Sequence, residues 1–210
     1  MIAVIDYGAG NLYSVAKALI KVGATDVVVT GDKHIIKKAD RLILPGVGAF
    51  SHCMNVLRKS DLIENIEDAI FLKKKPLLAI CVGLQLMANQ GYEHGVSKGL
   101  GWLDAEVLPL AKYLPVASSL RIPHTGWDQI FFTKLSPIFE GIPDGSFFYF
   151  NHSYFLQSAD NKNVIAQCHY GIPFTSAVMF GNIFACQFHP EKSQANGLRM
   201  LKNFCTWEPI

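Results

Sequence analysis

The stretch Pro76-Leu77-Leu78-Ala79-Ile80-Cys81-Val82-Gly83-Leu84-Gln85 carries most of the information about this chain. Apolar residues running on from a proline, with no polar alternation, read as a strand buried on both faces, as in a parallel sheet. A cysteine then precedes Gly83 and the helix-compatible run Leu84-Gln85-Leu86-Met87. That is the strand–nucleophile–helix elbow in its cysteine form, where a tight turn lifts the side chain off the carboxyl edge of the sheet. Ala79 and Gly83, two residues before and two after, are small enough for strand and helix to pack closely. The sulfur would sit at a helix N-terminus, where free N–H groups favour thiolate over thiol. The Val82 N–H is then placed as an oxyanion donor. A structural cysteine in a core strand accounts for the same run equally well, so the elbow alone decides nothing.

Upstream, the chain alternates strand and helix patterns. Ile2 to Ile5 is a short apolar run, broken at Gly8 and Gly10 and followed by a helical pattern to about Val22. Val27 to Thr30 is a second run, and Leu42 to Leu44 a third that ends at Pro45-Gly46-Val47-Gly48. Asp61 and Glu64 have capping-box spacing for a helix with Leu62, Ile66 and Ile70 on one face and Lys73 to Lys75 at its negative end. Strands alternating with helices call for a parallel sheet with helices on both sides.

Downstream, Phe147 to Phe150, Val164 to His169, Phe174 to Phe180 and Ile183 to Phe188 are closely spaced β-type runs. Tyr170-Gly171 and Gly181-Asn182 supply turns between them, so antiparallel hairpins extend or flank the parallel sheet. A last helix from about Gln194 to Thr206 carries Leu198, Leu201, Phe204 and Cys205 on one stripe. The expected architecture is an α/β three-layer sandwich: a mostly parallel central sheet, helices on both faces, and antiparallel strands added in the second half. With no linker, repeat or low-complexity segment, residues 1–210 read as one domain.

A second chemical signal is Gln187-Phe188-His189-Pro190-Glu191-Lys192-Ser193. Pro190 holds His189 extended, and in extended chain residues i and i+2 project to one side. The Glu191 carboxylate can then orient the His189 imidazole. Alone, His-Pro-Glu reads as a surface turn; together with Cys81 it makes a Cys–His–Glu triad of nucleophile, proton shuttle and orienter. In Pro45-Gly46-Val47-Gly48 the glycines leave the backbone free to present an N–H to an anion, although a plain βα turn fits as well. His152, after an aromatic strand, is expected in a loop at the rim of the site. Cys53, Cys168, Cys186 and Cys205 read as core packing.

Composition excludes several classes of function. Lys+Arg 19 against Asp+Glu 17 leaves +2, too little for a nucleic-acid binder working by bulk charge. No run is long enough to span a membrane. The N-terminus lacks a secretory leader, and five scattered cysteines show neither a disulfide framework nor a zinc spacing, so a cytoplasmic protein without metal is expected. No phosphate-binding Gly-Lys-Ser/Thr loop is present, and no cofactor is expected.

Taken in order, these motifs resemble those of class I (triad) glutamine amidotransferases, over nearly the whole length. More narrowly, the chain is similar to glutaminase subunits of imidazole glycerol phosphate synthases. The segments that carry the likeness are Ile5 to Leu12, Leu44 to Phe50, Gly99 to Trp102, Ile122 to Trp127, His152 to Tyr154 and Gln187 to Ser193. The resemblance implies Cys81, His189 and Glu191 as the triad, with Val47 and Val82 as the oxyanion donors. It implies Gly48, Gln85, Glu93, Ser153 and Tyr154 around L-glutamine, and Asn11, Trp127, Tyr149 and Lys192 facing a synthase partner and the ammonia path. That partner would be a (β/α)-barrel cyclase. A paralogous subunit serving another barrel synthase, a free-standing cysteine hydrolase and a regulatory pseudoenzyme are the rival readings. The sequence departs from the family pattern at Ala79, usually Gly, and at Thr125, Asp128 and Asn151.

Overall fold

In the computed structural model, which describes residues 1–116 and 119–209, the first half runs β1 (Ile2–Ile5), α1 (Leu12–Lys21), β2 (Val27–Thr30), α2 (Lys33–Lys38), β3 (Arg41–Gly46), α3 (Phe50–Lys59), α4 (Ile63–Glu67), β4 (Leu77–Cys81) and α5 (Val82–Leu86). The second half follows with β5 (Gln90–Gly91), β6 (Ser97–Lys98), β7 (Ala105–Pro109), β8 (His124–Phe132), β9 (Phe147–His152), β10 (Tyr154–Ser158), β11 (Val164–Tyr170), β12 (Ile172–Phe180), β13 (Ile183–Cys186) and α6 (Gln194–Thr206).

Nine strands form one sheet in the order β2-β1-β3-β4-β13-β12-β11-β8-β9. The strands from β2 to β13 are parallel, and from β13 onward each neighbour is antiparallel. The antiparallel strands both extend the parallel sheet and flank it, since β10-β7-β5-β6 make a second sheet of their own. The runs read as doubly buried strands at β1 and β4 are so, and β13, read only as one of the hairpin runs, is also buried throughout and lies parallel to β4. From β1 the order steps outward to β2 and then back across to β3. Right-handed crossovers at that reversal put α1 and α2 on opposite faces. Consistent with this, α1 packs on α6 while α2 packs on α4. No helix among the described residues is long and apolar enough to cross a membrane.

Two local expectations are corrected. Leu62, Ile66 and Ile70 are buried as expected, but Asp61 and Glu64 form no capping box. Asp61 sits at φ +55° and its carboxylate pairs with Lys33 Nζ at 2.5 Å, so Leu62 occupies the cap position without a side-chain bond. The helix then widens into a π-turn over Asp68–Leu72. On α6 the inward stripe is Gly197, Met200, Leu201 and Phe204, with Leu198 at its edge. Cys205 is also at the edge, half-buried rather than core, because its position is rotated away from that stripe. α2 is a short helix capped by Asp32, whose side chain accepts the His34 N–H.

Candidate active site

The carboxyl ends of β3, β4 and β13, three neighbouring parallel strands, converge on one cleft. This is where a doubly wound sheet presents its reactive groups. At the end of β4, Cys81 has φ +55° and ψ −110°, a conformation that non-glycine residues avoid and that persists only when its surroundings impose it. Tight packing does so here. A methyl built on Gly83 would lie 2.0 Å from the Leu44 carbonyl oxygen, and one on Gly46 would lie 2.7 Å from the Gly83 nitrogen. The same methyl on Gly83 would be 3.6 Å from the Ala79 side chain, an ordinary contact. The strand–helix approach is therefore limited by β3, and the extra methyl of Ala79 fits.

His189 follows β13, extended at φ −101° and ψ 98° ahead of Pro190. The strand itself ends at Cys186, and Pro190–Lys192 form a single 3-10 turn. The His189–Glu191 contact is thus made by a turn and not by extended i, i+2 geometry. Glu191 Oε1 lies 2.9 Å from His189 Nδ1, with both side chains almost wholly buried. The backbone of His189 is clamped to β9 by its N–H on the Tyr149 carbonyl at 2.8 Å. Ser193 Oγ closes the loop, donating to the His189 carbonyl and accepting the Tyr149 N–H. Burial lowers the imidazole pKa, but the Cys81 sulfur and then Glu191 outweigh it and raise His189 to about 10. Two neighbours that favour the charged form of the ring thus outweigh its burial. Glu191 Oε2 is buried without a hydrogen-bond partner among the described residues, so the pairing with His189 is what offsets its burial.

The cleft has a volume of about 220 Å³ and is lined by Val47, Gly48, Cys81, Val82, Gln85, Glu93, Pro123, Asn151, His152, Ser153, Tyr154, His189 and Lys192. All the residues expected around the scissile group and the substrate line it; Glu191 stands behind His189. Glu93 accepts the Phe50 N–H at the start of α3 on Oε2, 2.6 Å away. Gln85 is buried and donates from Nε2 both to the Tyr154 carbonyl and to Gln187 Oε1, each at 2.9 Å. Cys53, read as packing, is buried and also points its thiol at the Val47 carbonyl, 3.3 Å away, tying α3 to the glycine loop. Among the described residues no group of three or more His, Cys, Asp or Glu is arranged to hold a metal ion.

With this geometry established, comparison with known proteins places the chain. The sequence profile of the family "Glutamine amidotransferase class-I" matches residues 3–207. The chain belongs to that family. It is 45% identical, over 97% of its length and 98% of the relative's, to imidazole glycerol phosphate synthase subunit HisH 1 of Campylobacter jejuni subsp. jejuni (strain 81-176). It is 48% identical to subunit HisH of Aquifex aeolicus, over 96% of this chain and 94% of that one. In fold it is similar to a structure described as a glutamine amidotransferase, with TM-score 0.73, 18% identity and 97% of each chain covered. It is also similar to PurLQS from Thermotoga maritima, with TM-score 0.71, 17% identity and 97% and 96% of the two chains covered.

One histidine of this amidotransferase, His152, differs from its sequence reading, and it pairs with a second, His124. His152 is no loop residue: β9 continues to it, and alternation from Phe148 and Phe150 turns it inward, 6% exposed. Its Nδ1 is 2.9 Å from the Tyr154 carbonyl, which can only accept, so that nitrogen carries the proton. Nε2 is then the acceptor for His124 Nδ1, 3.0 Å away. Burial, reinforced by His124, drives His152 down to about 3, so it stays neutral. Asp128 lies 3.4 Å from the far side of His124.

The residues that depart from the family pattern in the second half share one hairpin. Thr125 and Asn151 are cross-strand partners, with the Thr125 hydroxyl donating to Asn151 Oδ1 at 3.0 Å, and Asp128 is the residue facing His124. Of the residues expected to face a partner, three are in contact: the Tyr149 ring stands 6.1 Å from that of Trp127 and 5.6 Å from Lys192 Nζ. Asn11 stands at the start of α1, a helix that packs on the 190–192 turn. Gln187 was quoted only as part of a motif, yet its Nε2 lies 3.6 Å from Cys81 Sγ. The signal that marks it is its place at the head of the Gln187-to-Ser193 run.

Proposed function

We propose that this chain hydrolyses the side-chain amide of L-glutamine to glutamate and ammonia. The supporting observation is a single cleft onto which Cys81 and His189 open, with Gln85, Glu93, Ser153 and Tyr154 on its walls. The Cys81 thiolate attacks the carboxamide carbon, and the tetrahedral oxyanion is received by the N–H groups of Val82 and Val47. His189, held by Glu191, gives its proton to the departing nitrogen as the C–N bond breaks. Ammonia leaves and a γ-glutamyl thioester remains on Cys81. His189 then takes a proton from water, whose oxygen attacks the thioester; glutamate departs and the thiolate is restored. Glu93 offers negative charge to the substrate's α-ammonium, and Gly48 with the Ser153–Tyr154 backbone completes the pocket.

The relatives named as imidazole glycerol phosphate synthase subunits support a narrower assignment. This chain is the glutaminase half of a cytoplasmic heterodimer with lyase activity, one domain over residues 1–210. It passes ammonia to a (β/α)-barrel cyclase that forms imidazole glycerol phosphate and AICAR in histidine biosynthesis. Trp127, Tyr149, Lys192 and Asn11 face that partner. A second reading, a paralogous subunit feeding a different barrel synthase, rests on the Thr125, Asp128 and Asn151 departures along one hairpin. The test is Cys81→Ala in the reconstituted complex. Glutamine-dependent synthesis is lost while ammonia-dependent synthesis continues; loss of both would show that Cys81 does something other than release ammonia. Which synthase co-purifies with the chain separates the two partner readings.

A further inference from the structure

Gln187 lies outside the triad, is fully buried, and its main-chain N–H is fixed to the Ser176 carbonyl on β12 at 2.8 Å. Its side chain bridges the glutamine pocket and the nucleophile: Oε1 accepts from Gln85 Nε2 at 2.9 Å, and Nε2 is 3.6 Å from Cys81 Sγ. The direction of this amide follows from its neighbours. Gln85 also donates from Nε2 to the Tyr154 carbonyl, which can only accept, so Gln85 presents N–H to Gln187. Gln187 must answer with its oxygen and turn its NH2 toward the sulfur. An N–H aimed at sulfur favours the charged form over the neutral one.

We propose that Gln187 is a positioning residue that holds the Cys81 sulfur toward His189 as a thiolate, its amide set by Gln85 and the Tyr154 carbonyl. The inference rests on Cys81 being the nucleophile. It makes the pocket wall and the nucleophile one hydrogen-bonded unit, so a displacement of Gln85 or Tyr154 is felt at the sulfur. Both ends of that chain lie in the cleft that glutamine would fill.

The test uses the full chain with Gln187→Met, which keeps the shape without the donor, and Gln187→Glu, which puts a carboxylate oxygen against the sulfur. Alkylation of Cys81 by iodoacetamide is followed against pH by peptide mass spectrometry, beside basal glutaminase kinetics and thermal melts. At neutral pH, alkylation falls about tenfold in Gln187→Met, the value of one hydrogen bond to a charged group, and further in Gln187→Glu. The profile moves to higher pH in the same order, and kcat falls while KM stays within about twofold. Folded variants with the wild-type profile, or a raised KM at unchanged kcat, would overturn the proposal. Should both variants fail to fold, Gln85→Met leaves Gln187 in place but frees its amide. The same upward shift supports the proposal, and a wild-type profile overturns it. A Cys81→Ala chain that retained glutaminase turnover would instead sink the assignment of the nucleophile.

Discussion

Cys81 and His189 stand at the ends of adjacent parallel strands, yet they are held by different means. Cys81 is held by sterics: a φ of +55°, Gly83 against the Leu44 carbonyl of β3, and Gly46 of β3 against the elbow. His189 is held by hydrogen bonds: its N–H donates to the Tyr149 carbonyl, its carbonyl accepts from the Ser193 hydroxyl, and its ring bonds the Glu191 carboxylate. The strands that supply those restraints, β3 for Cys81 and β9 for His189, differ too. β3 and β4 bury nearly every residue, whereas β8 and β9, at the opposite edge, alternate between core and solvent. Cys81, the proposed nucleophile, is fixed in one strained geometry by packing. His189, the proposed proton shuttle, is fixed by polar groups instead.

The contrast is best broken at its polar side. Glu191→Gln keeps the shape of the orienter and removes its charge, so kcat for glutamine falls about 10²–10³-fold with little change in KM. Steady-state kinetics with a thermal melt check this; near-normal kcat would mean that backbone clamps alone set His189. On the steric side, Gly83→Ala pushes a methyl into the Leu44 carbonyl and costs about 3 kcal/mol in urea unfolding, with catalysis lost through displacement of Cys81. A stable, active Gly83→Ala protein would remove the packing explanation for the elbow.

The pocket wall shows a smaller, pH-dependent effect. His152 is buried and its folded value, about 3, lies below the ordinary 6.5, so the unfolded chain binds a proton first. Stability from its neutral form is complete above 6.5 and is lost as pH falls toward 3, at about 1.4 kcal/mol per unit. His124, Asp128 and His189 face the same region, so the assay is a comparison with His152→Gln, whose unfolding free energy flattens over that window. Equal slopes would place the acid sensitivity elsewhere. The least effect is expected at Asp61→Asn: with no capping box to lose and only an exposed ion pair removed, the melting temperature stays within about 1 °C.

What was legible in the sequence divides along the same line. The parallel strands were readable because a doubly buried strand writes a continuous apolar run, and the elbow because its Cys-x-Gly sits at the end of one. The Cys81–His189–Glu191 grouping was readable as residue types, but its geometry was not: a 3-10 turn, not an extended i, i+2 pair, brings Glu191 onto His189. β7, β8 and β10 were not read as strands, since half-exposed alternating strands take their partners from far along the chain and carry weaker local signals. The pairing of His152 with His124 depends on a contact between separate strands, which no local pattern encodes. Asp61 shows the converse: a capping-box spacing is satisfied locally, but the backbone turns through φ +55° and gives the carboxylate to Lys33.

The account as a whole depends on a thioester between glutamine and Cys81. Acid-quenching the chain during turnover with isotope-labelled glutamine, followed by peptide mass spectrometry, tests it directly. A labelled glutamyl group on the peptide carrying Cys81, absent in Cys81→Ala, is the expected result. Turnover with no labelled adduct, or with the label on another residue, would contradict it.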